Sequence, residues 1–287
     1  MRVLKNTFID KGLQQVAGVI STGYAQWELA ARDGLLQRLD ARIKVLFLLF
    51  FIVIVSLKKE LHAEVGIGCF VFFLVLASRI PLVHFYRRVL LLGFLFGFLI
   101  ALPSSLNVIT KGEVVIPLLR LSRPVDFWIY HVPQEIGLTK EGLFAVAMLT
   151  LRVVNSVSLS FLVLSTTSFP EIVKALKVLR IPDVILMMLA LSYKYIFLFA
   201  KTVEEMHLAK KGRLTGAISG AEVRDWVAGR MAFIFRKTQL RCEEVFKAMQ
   251  ARGFSDTVKL YGIKKLTPGD QLTGIFFALT GCAFLLW

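Results

Sequence analysis

From Gln271 to Trp287 the chain runs 17 residues without a charge. Four other stretches are mostly apolar, broken only by Lys44 and Arg152: Ile43 to Leu57, Val65 to Ala77, Val89 to Ile109 and Gly142 to Thr167. These blocks constrain the fold more than any motif does. A helix that crosses a bilayer needs about 20 mostly apolar residues, and in hydrocarbon its backbone must pair within itself. About five spans are therefore expected. The first is short, and Lys44 near its start is expected to snorkel to the interface. Gly66 and Gly68 in the second suit close helix contacts, and Pro103 marks a kink or an end in the third. Met187 to Ala200 is also apolar but carries Lys194. It reads as a buried or tilted helix, with a sixth span as the alternative.

Composition agrees. A 56% hydrophobic chain with a mean hydropathy of +0.67 and only 19% charged residues belongs with polytopic membrane proteins. The net charge of +15 does not point to nucleic acid, because its Lys and Arg residues flank the apolar blocks and no basic recognition motif is present. Arg32, Arg38, Arg42 and Lys44 precede the first span, and Arg79, Arg87 and Arg88 separate the second from the third. Both places are expected to be cytoplasmic. The loop from Thr110 to Glu141, with Pro117, Pro124, Trp128, Tyr130 and Pro133, suits the outer face. From Pro170 to Gly269 there are 18 Lys plus Arg against 9 Asp plus Glu, which assigns that region to the cytoplasm. The N-terminus is then inside and the C-terminus outside. The first 40 residues, mixing Lys5, Asp10, Lys11, Glu28, Arg32, Asp33 and Arg38 with short apolar runs, read as a cytoplasmic lead-in and not as a signal peptide.

Catalytic and metal chemistry find little foothold. Cys69, Cys242 and Cys282 are scattered, as are His62, His84, His131 and His207, so no disulfide framework, metal site or cofactor is expected from local spacing. No phosphate-cradling Gly-x4-Gly-Lys-Ser/Thr sequence occurs, so any ATP would be hydrolysed elsewhere. Within the fourth span, Arg152 is followed by Asn155, Ser156, Ser158 and Ser160. An ionisable group at that depth is costly and by default suggests a functional partner. The competing reading holds Arg152 by hydroxyls and carbonyls of the bundle, which leaves Arg152 and Asn155 as structural or coupling residues.

The charged region between the last two apolar blocks is periodic. Phe169-Pro170-Glu171 opens a helix with Ile172, Leu176 and Leu179 on one face and Lys174, Lys177 and Arg180 on another; Ser168 suits its N-cap and Pro182 stops it. Such a helix can lie in the membrane interface or pack on the protein itself. A second helix runs from Pro182 towards Lys211 and breaks near Gly212 and Gly216. A third begins near Ala221 and carries Met231, Ile234, Phe235, Thr238, Cys242, Val245, Phe246 and Met249 as a stripe at 3 and 4 spacing. Gly253 can supply its C-cap. Both long helices thus end in a small residue beside an arginine, Gly212-Arg213 and Ala251-Arg252-Gly253. Arginine offers a rigid fork of five donors to a partner; its plainer role is to complement the helix macrodipole.

Several motifs now line up: Leu39-Asp40-Ala41-Arg42-Ile43-Lys44, Thr166-Thr167-Ser168-Phe169-Pro170-Glu171, Ala175-Leu176-Lys177-Val178-Leu179-Arg180-Ile181-Pro182, Ser192-Tyr193-Lys194-Tyr195, Ala209-Lys210-Lys211-Gly212-Arg213 and Ala248-Met249-Gln250-Ala251-Arg252-Gly253-Phe254. In this order, between Arg38 and Phe254, they resemble the transmembrane T component of energy-coupling-factor (ECF) transporters, a group of ABC importers, and most closely its cobalt-type branch. The resemblance implies an all-α polytopic membrane protein with long cytoplasmic coupling helices, each ending in an Ala-Arg-Gly-like motif that docks on a nucleotide-binding ATPase. The second motif matches fully as Ala251, Arg252 and Gly253. The first reads Gly212-Arg213-Leu214, so its arginine alone carries over cleanly. Implied partners are a pair of ABC ATPases, a small membrane substrate-binding subunit and the lipid bilayer, in the cytoplasmic (inner) membrane of a prokaryote. The implied role is non-catalytic energy coupling for uptake of cobalt or nickel ions. A conventional ABC permease subunit for another substrate and a membrane adaptor without transport stay open as alternatives. The expected organisation is a lead-in over 1–41, four spans over 42–168, a coupling-helix region over 169–269 and a last span over 270–287.

Overall fold

The computed structural model describes residues 34–105, 107, 114–120, 125–127, 130–132, 135–213, 219–254 and 266–287, together with Gly12, Gln15, Gly18, Gly23 and Ala30. The lead-in charges Lys5, Asp10, Lys11, Glu28, Arg32 and Asp33 lie outside the described residues, as do Pro124, Trp128, Pro133, Leu214 and Gly216.

The apolar blocks are helices. Helix α1 (Ala41–Leu57) starts at Asp40, whose carboxylate accepts a hydrogen bond from Arg42 N at 2.9 Å, satisfying one of the orphan donors of the first turn. Beyond Lys58–Glu60 the chain returns as α2 (Leu61–Ala77). Helix α3 (Leu82–Leu92) continues into a π-helical stretch, Gly93–Leu99, and then a 3-10 turn, Leu102–Ser105, around Pro103. Pro103 is an end, not a kink. This span opens at Leu82 instead of Val89, because Arg87 and Arg88 lower the hydropathy of the first turns without disturbing their backbone pairing. At Gly97 a Cβ would lie 2.9 Å from Thr150 Cα, so glycine lets the π-helical stretch sit directly on the next helix. Helix α4 (Lys140–Thr166) is capped by Thr139, whose hydroxyl accepts from Gly142 N at 3.1 Å. Before it, β1 (Val114–Arg120) pairs antiparallel with β4 (Glu135–Thr139), and β2 (Val125–Phe127) with β3 (Tyr130–Val132). Ile116 faces Leu138 and Arg120 faces Glu135 in the first ribbon. The two ribbons are a local excursion from an all-α architecture.

After α4 come α5 (Phe169–Ala175), a 3-10 turn at Leu176–Leu179, α6 (Asp183–Gly212), α7 (Gly220–Ala251) and α8 (Pro268–Leu286). Pro182 separates α5 from α6 as expected, but the helix opened at Phe169 is shorter than its periodicity suggests. Arg180 adopts φ +55, and the turn closes with Lys177 Nζ 3.0 Å from Asp183 Oδ1.

Four described helical segments are long and apolar enough to cross a membrane: Leu82–Leu99, Lys140–Thr166, Asp183–Gly212 and Pro268–Leu286. Leu61–Ala77 is a shorter apolar helix, and α1 matches it at 17 residues. The reading of Met187 to Ala200 as a buried helix is corrected. Only Leu186 and Ala200 are buried along the 30 residues of α6, and Lys194 is exposed. At about 1.5 Å per residue α6 outreaches a hydrocarbon layer of about 30 Å, in keeping with the sixth-span alternative.

The chain divides into two compact units, Glu28–Ile172 with Lys264–Trp287, and Met1–Trp27 with Val173–Ile263. In the first, α4 packs on α1, α2, α3 and the π-helical stretch, and α8 packs on α1. Phe47, Phe51, Ile54, Ile67, Val71, Val75, Val89, Leu159, Leu162 and Phe277 form its core. Phe47 meets Phe277 with ring centroids 4.5 Å apart, and Phe51 stacks on Phe70 at 5.5 Å. Between helices already in lipid such close packing is the main attraction. In the second unit, Trp226 of α7 meets His207 of α6 edge to face at 5.3 Å, and Lys210 Nζ lies 5.7 Å from the centre of the same ring.

Candidate functional site

The tips of α6 and α7 differ in construction. Helix α7 is capped at its start by Ser219, whose hydroxyl accepts from Glu222 N at 3.3 Å. At its end Gly253 adopts φ +78. Gly253 N donates to Gln250 O at 2.9 Å and Phe254 N to Met249 O at 3.1 Å, the paired bonds of a Schellman motif. Arg252 is thereby held at the cap position with its side chain exposed. Among the described residues helix α6 ends without a left-handed residue: Arg213 is the cap at φ −99, ψ −2, and its N–H donates to Lys210 O at 3.0 Å. Gly212 is thus not demanded by backbone conformation, which suits the looser first motif. Both arginines are exposed, and among the described residues neither has a carboxylate within 4.0 Å. On α7, Met231, Phe235 and Phe246 of the apolar stripe stay exposed, while Ile234, Thr238, Val245 and Met249 are half-buried.

Inside the bundle, Arg152 and Asn155 share a partner that the sequence reading passed over. Glu64 of α2 is fully buried. Arg152 Nε lies 3.5 Å from Glu64 Oε1, and a terminal guanidinium nitrogen donates to Lys58 O. Asn155 Nδ2 donates to Glu64 Oε2 at 2.9 Å and to Glu64 O at 2.8 Å. Arg152 is therefore held by a carboxylate and a carbonyl, and among the described residues no hydroxyl takes part; Ser160 Oγ turns back to Ser156 O. The missed signal was an acid in the sequence Leu61-His62-Ala63-Glu64-Val65, placed one residue ahead of the second apolar block. An acid and a base on different apolar helices satisfy each other at a cost neither could bear alone.

A second charge turns inward at the other end of the same helices. Lys44 is 1% exposed, which corrects the expectation that it snorkels. Its Nζ donates to Thr166 O, in the last turn of α4, at 3.0 Å. The carboxylates of Glu171, Asp40 and Asp270 draw on the same ammonium. Asp270 also accepts from Asp40 N at 3.3 Å and closes a capping box with Thr267 at the start of α8. Lys44 does not reach outward because a helix-end carbonyl of α4 takes its ammonium within the bundle. Among the described residues no group of three or more His, Cys, Asp or Glu is gathered as metal ligands.

Residues 33–260 match the model of the CbiQ family, described as cobalt transport protein. The chain belongs to the CbiQ family. The match contains the whole stretch from Arg38 to Phe254, and the resemblance to cobalt-type T components is borne out. An uncharacterised protein of Methanocaldococcus jannaschii is 28% identical over 256 residues, 89% of this chain and 84% of its own length. The energy-coupling factor transporter transmembrane protein EcfT of Exiguobacterium sibiricum is 24% identical over 264 residues, 88% of this chain and 93% of its own. A second uncharacterised M. jannaschii protein is 27% identical over 126 residues, 44% of this chain and 47% of its own. This CbiQ-family chain is a multi-pass membrane protein by family and by its apolar helices.

Proposed function

We propose that this chain is the energy-coupling membrane subunit of an ECF-type importer. In this reading Arg213 and Arg252, with Gly212, Ala251 and Gly253 around them, dock on a pair of partner ATPases, and the motion of those ATPases reaches a small substrate-binding membrane subunit through α6 and α7. The observation that carries the proposal is the pair of long helices ending in exposed arginines without a carboxylate partner among the described residues. The stripe of α7 supports it further, since Met231, Phe235 and Phe246 stay open to a second apolar surface. A coupling element must make different contacts in two states of its partner, and rigid helices with charged tips suit that task. Sequence relatives support the role through the name of EcfT and the substrate through the cobalt description of the family. Cobalt or nickel ions are thus the proposed cargo, and the inner membrane of a prokaryote, with the N-terminus and residues 169–269 in the cytoplasm, the proposed setting.

The test is ATP-dependent uptake of radioactive cobalt(II) and nickel(II) by cells expressing the whole transporter. Arg252→Glu is expected to lower uptake at least tenfold while the chain still inserts in the membrane. Undiminished uptake with that variant would refute the docking role.

A further inference from the structure

The motif Ser192-Tyr193-Lys194-Tyr195 has no task in the docking role. Its lysine is the single charge in the apolar run 184–200 of α6, ten residues after Val184 and six before Ala200. Helix α6 is long and apolar enough for a membrane, and a charge in the middle of such a helix is costly until it is paired. Yet Lys194 is exposed, and among the described residues it has no carboxylate within 4.0 Å. The positions one helical turn away, where a partner on the same helix would stand, are Ala190, Leu191, Phe197 and Leu198. Asp183, the acid at the start of α6, is taken by Lys177 at 3.0 Å.

Snorkelling does not relieve the cost. Six residues of helix rise about 9 Å to the C-terminal end of the run, and ten rise about 15 Å to the other. The Cα–Cβ bond of a helical residue tilts towards the helix N-terminus, which aims the side chain back along the longer apolar stretch. In either direction the ammonium would cross apolar surface before it met water or a lipid phosphate. The rings beside it are fixed: Tyr193 meets Phe197 edge to face at 5.0 Å, and Tyr195 stacks on Phe199 at 5.8 Å. The surface around Lys194 is thus set before anything binds it.

We propose that Lys194 is a contact point for the small membrane subunit of the importer and pairs there with a carboxylate on one of that subunit's apolar helices. This rests on the coupling role above and adds the chemistry of the contact. Charge complementarity selects the occupant, because an acid within an apolar helix carries the same cost as Lys194 and each relieves the other. The pair also fixes register: an apolar face slid along α6 by one turn would strand both charges.

The first test replaces Lys194 by the photo-crosslinker benzoylphenylalanine in cells expressing the whole transporter. The expected product joins this chain to a small polytopic membrane protein; products with lipid or with this chain alone would overturn the proposal. The second test is recovery of that protein with the tagged chain. Lys194→Glu and Lys194→Met are expected to lower it by about tenfold or more with the ATPases still bound, and Lys194→Arg to keep it within about twofold. Changing the acid on the crosslinked helix to Lys is expected to restore recovery with Lys194→Glu by about fivefold. Unchanged recovery with Lys194→Glu would overturn the pairing. So would failure of the charge swap, or loss of the ATPases along with the membrane protein in both variants. If Arg252→Glu transports normally, the docking role fails while the crosslink and the charge swap still decide the pairing.

Discussion

Glu64 and Arg152 allow a quantitative test of how α2 and α4 are tied. Their charges stand 3.5 Å apart, with the Glu64 side chain fully buried and that of Arg152 33% exposed. At an effective dielectric constant of about 20, Coulomb attraction at that distance is about 5 kcal/mol. Desolvation of Glu64 offsets much of it, and the exposed part of Arg152 is screened. The informative quantity is therefore what happens when one partner is removed. Arg152→Met leaves a buried carboxylate with Asn155 as its remaining side-chain donor and should cost about 3 kcal/mol, the lower end for a broken buried pair. Glu64→Leu leaves Arg152 with water and Lys58 O and should cost about 1–2 kcal/mol, as for a lost hydrogen bond to a charged group. The double variant strands neither charge and should also cost about 1–2 kcal/mol, a coupling of about 2–4 kcal/mol between the two sites. The assay is reversible unfolding of the purified chain in mixed micelles by SDS titration, followed by tryptophan fluorescence. Single costs that simply add within about 0.5 kcal/mol would refute the pairing.

Three more expectations follow from the packing. Gly253→Ala places a side chain at φ +78 with no neighbour within 4 Å among the described residues, so its cost is conformational, about 1 kcal/mol; ATPase affinity measured by microscale thermophoresis should fall no more than about tenfold, and a hundredfold fall would mean a direct contact. Gly97→Ala puts a Cβ 2.9 Å from the backbone of Thr150 and should cost about 1–3 kcal/mol by forcing α3 and α4 apart, read as a lower SDS midpoint; an unchanged midpoint contradicts the close approach. Phe51→Ala removes a fully buried ring between Phe47 and Phe70 and should cost about 3–5 kcal/mol in the same titration; less than about 1 kcal/mol would contradict its burial.

The helices were legible because hydrocarbon demands long apolar runs, and five of the expected blocks became α1 to α4 and α8 with ends moved by a few residues. Where an end moved far, as at Leu82, charges at Arg87 and Arg88 had masked turns whose backbone is helical. The cap of α7 was legible too, since Gly253 in Ala251-Arg252-Gly253 is the residue a left-handed turn requires. The inward course of Lys44 was not legible. Its direction depends on Thr166 O, 122 residues away along the chain, and no local pattern reports that a helix end lies beside it. Glu64 was hidden in the same way, because its partners Arg152 and Asn155 become neighbours when α2 packs on α4. The π-helical course of Gly93–Leu99 likewise depends on the face of α4 against it.

The central claim is that the tips of α6 and α7 hold the ATPases. The most direct measurement is affinity purification of the tagged chain in mild detergent with quantitative mass spectrometry, comparing the wild type with an Arg213→Glu/Arg252→Glu double variant. The account predicts that Walker-motif ATPases and a small polytopic membrane protein co-purify with the wild type, and that the double variant keeps the membrane protein but loses the ATPases by at least tenfold. Equal recovery of ATPases with both chains would contradict it.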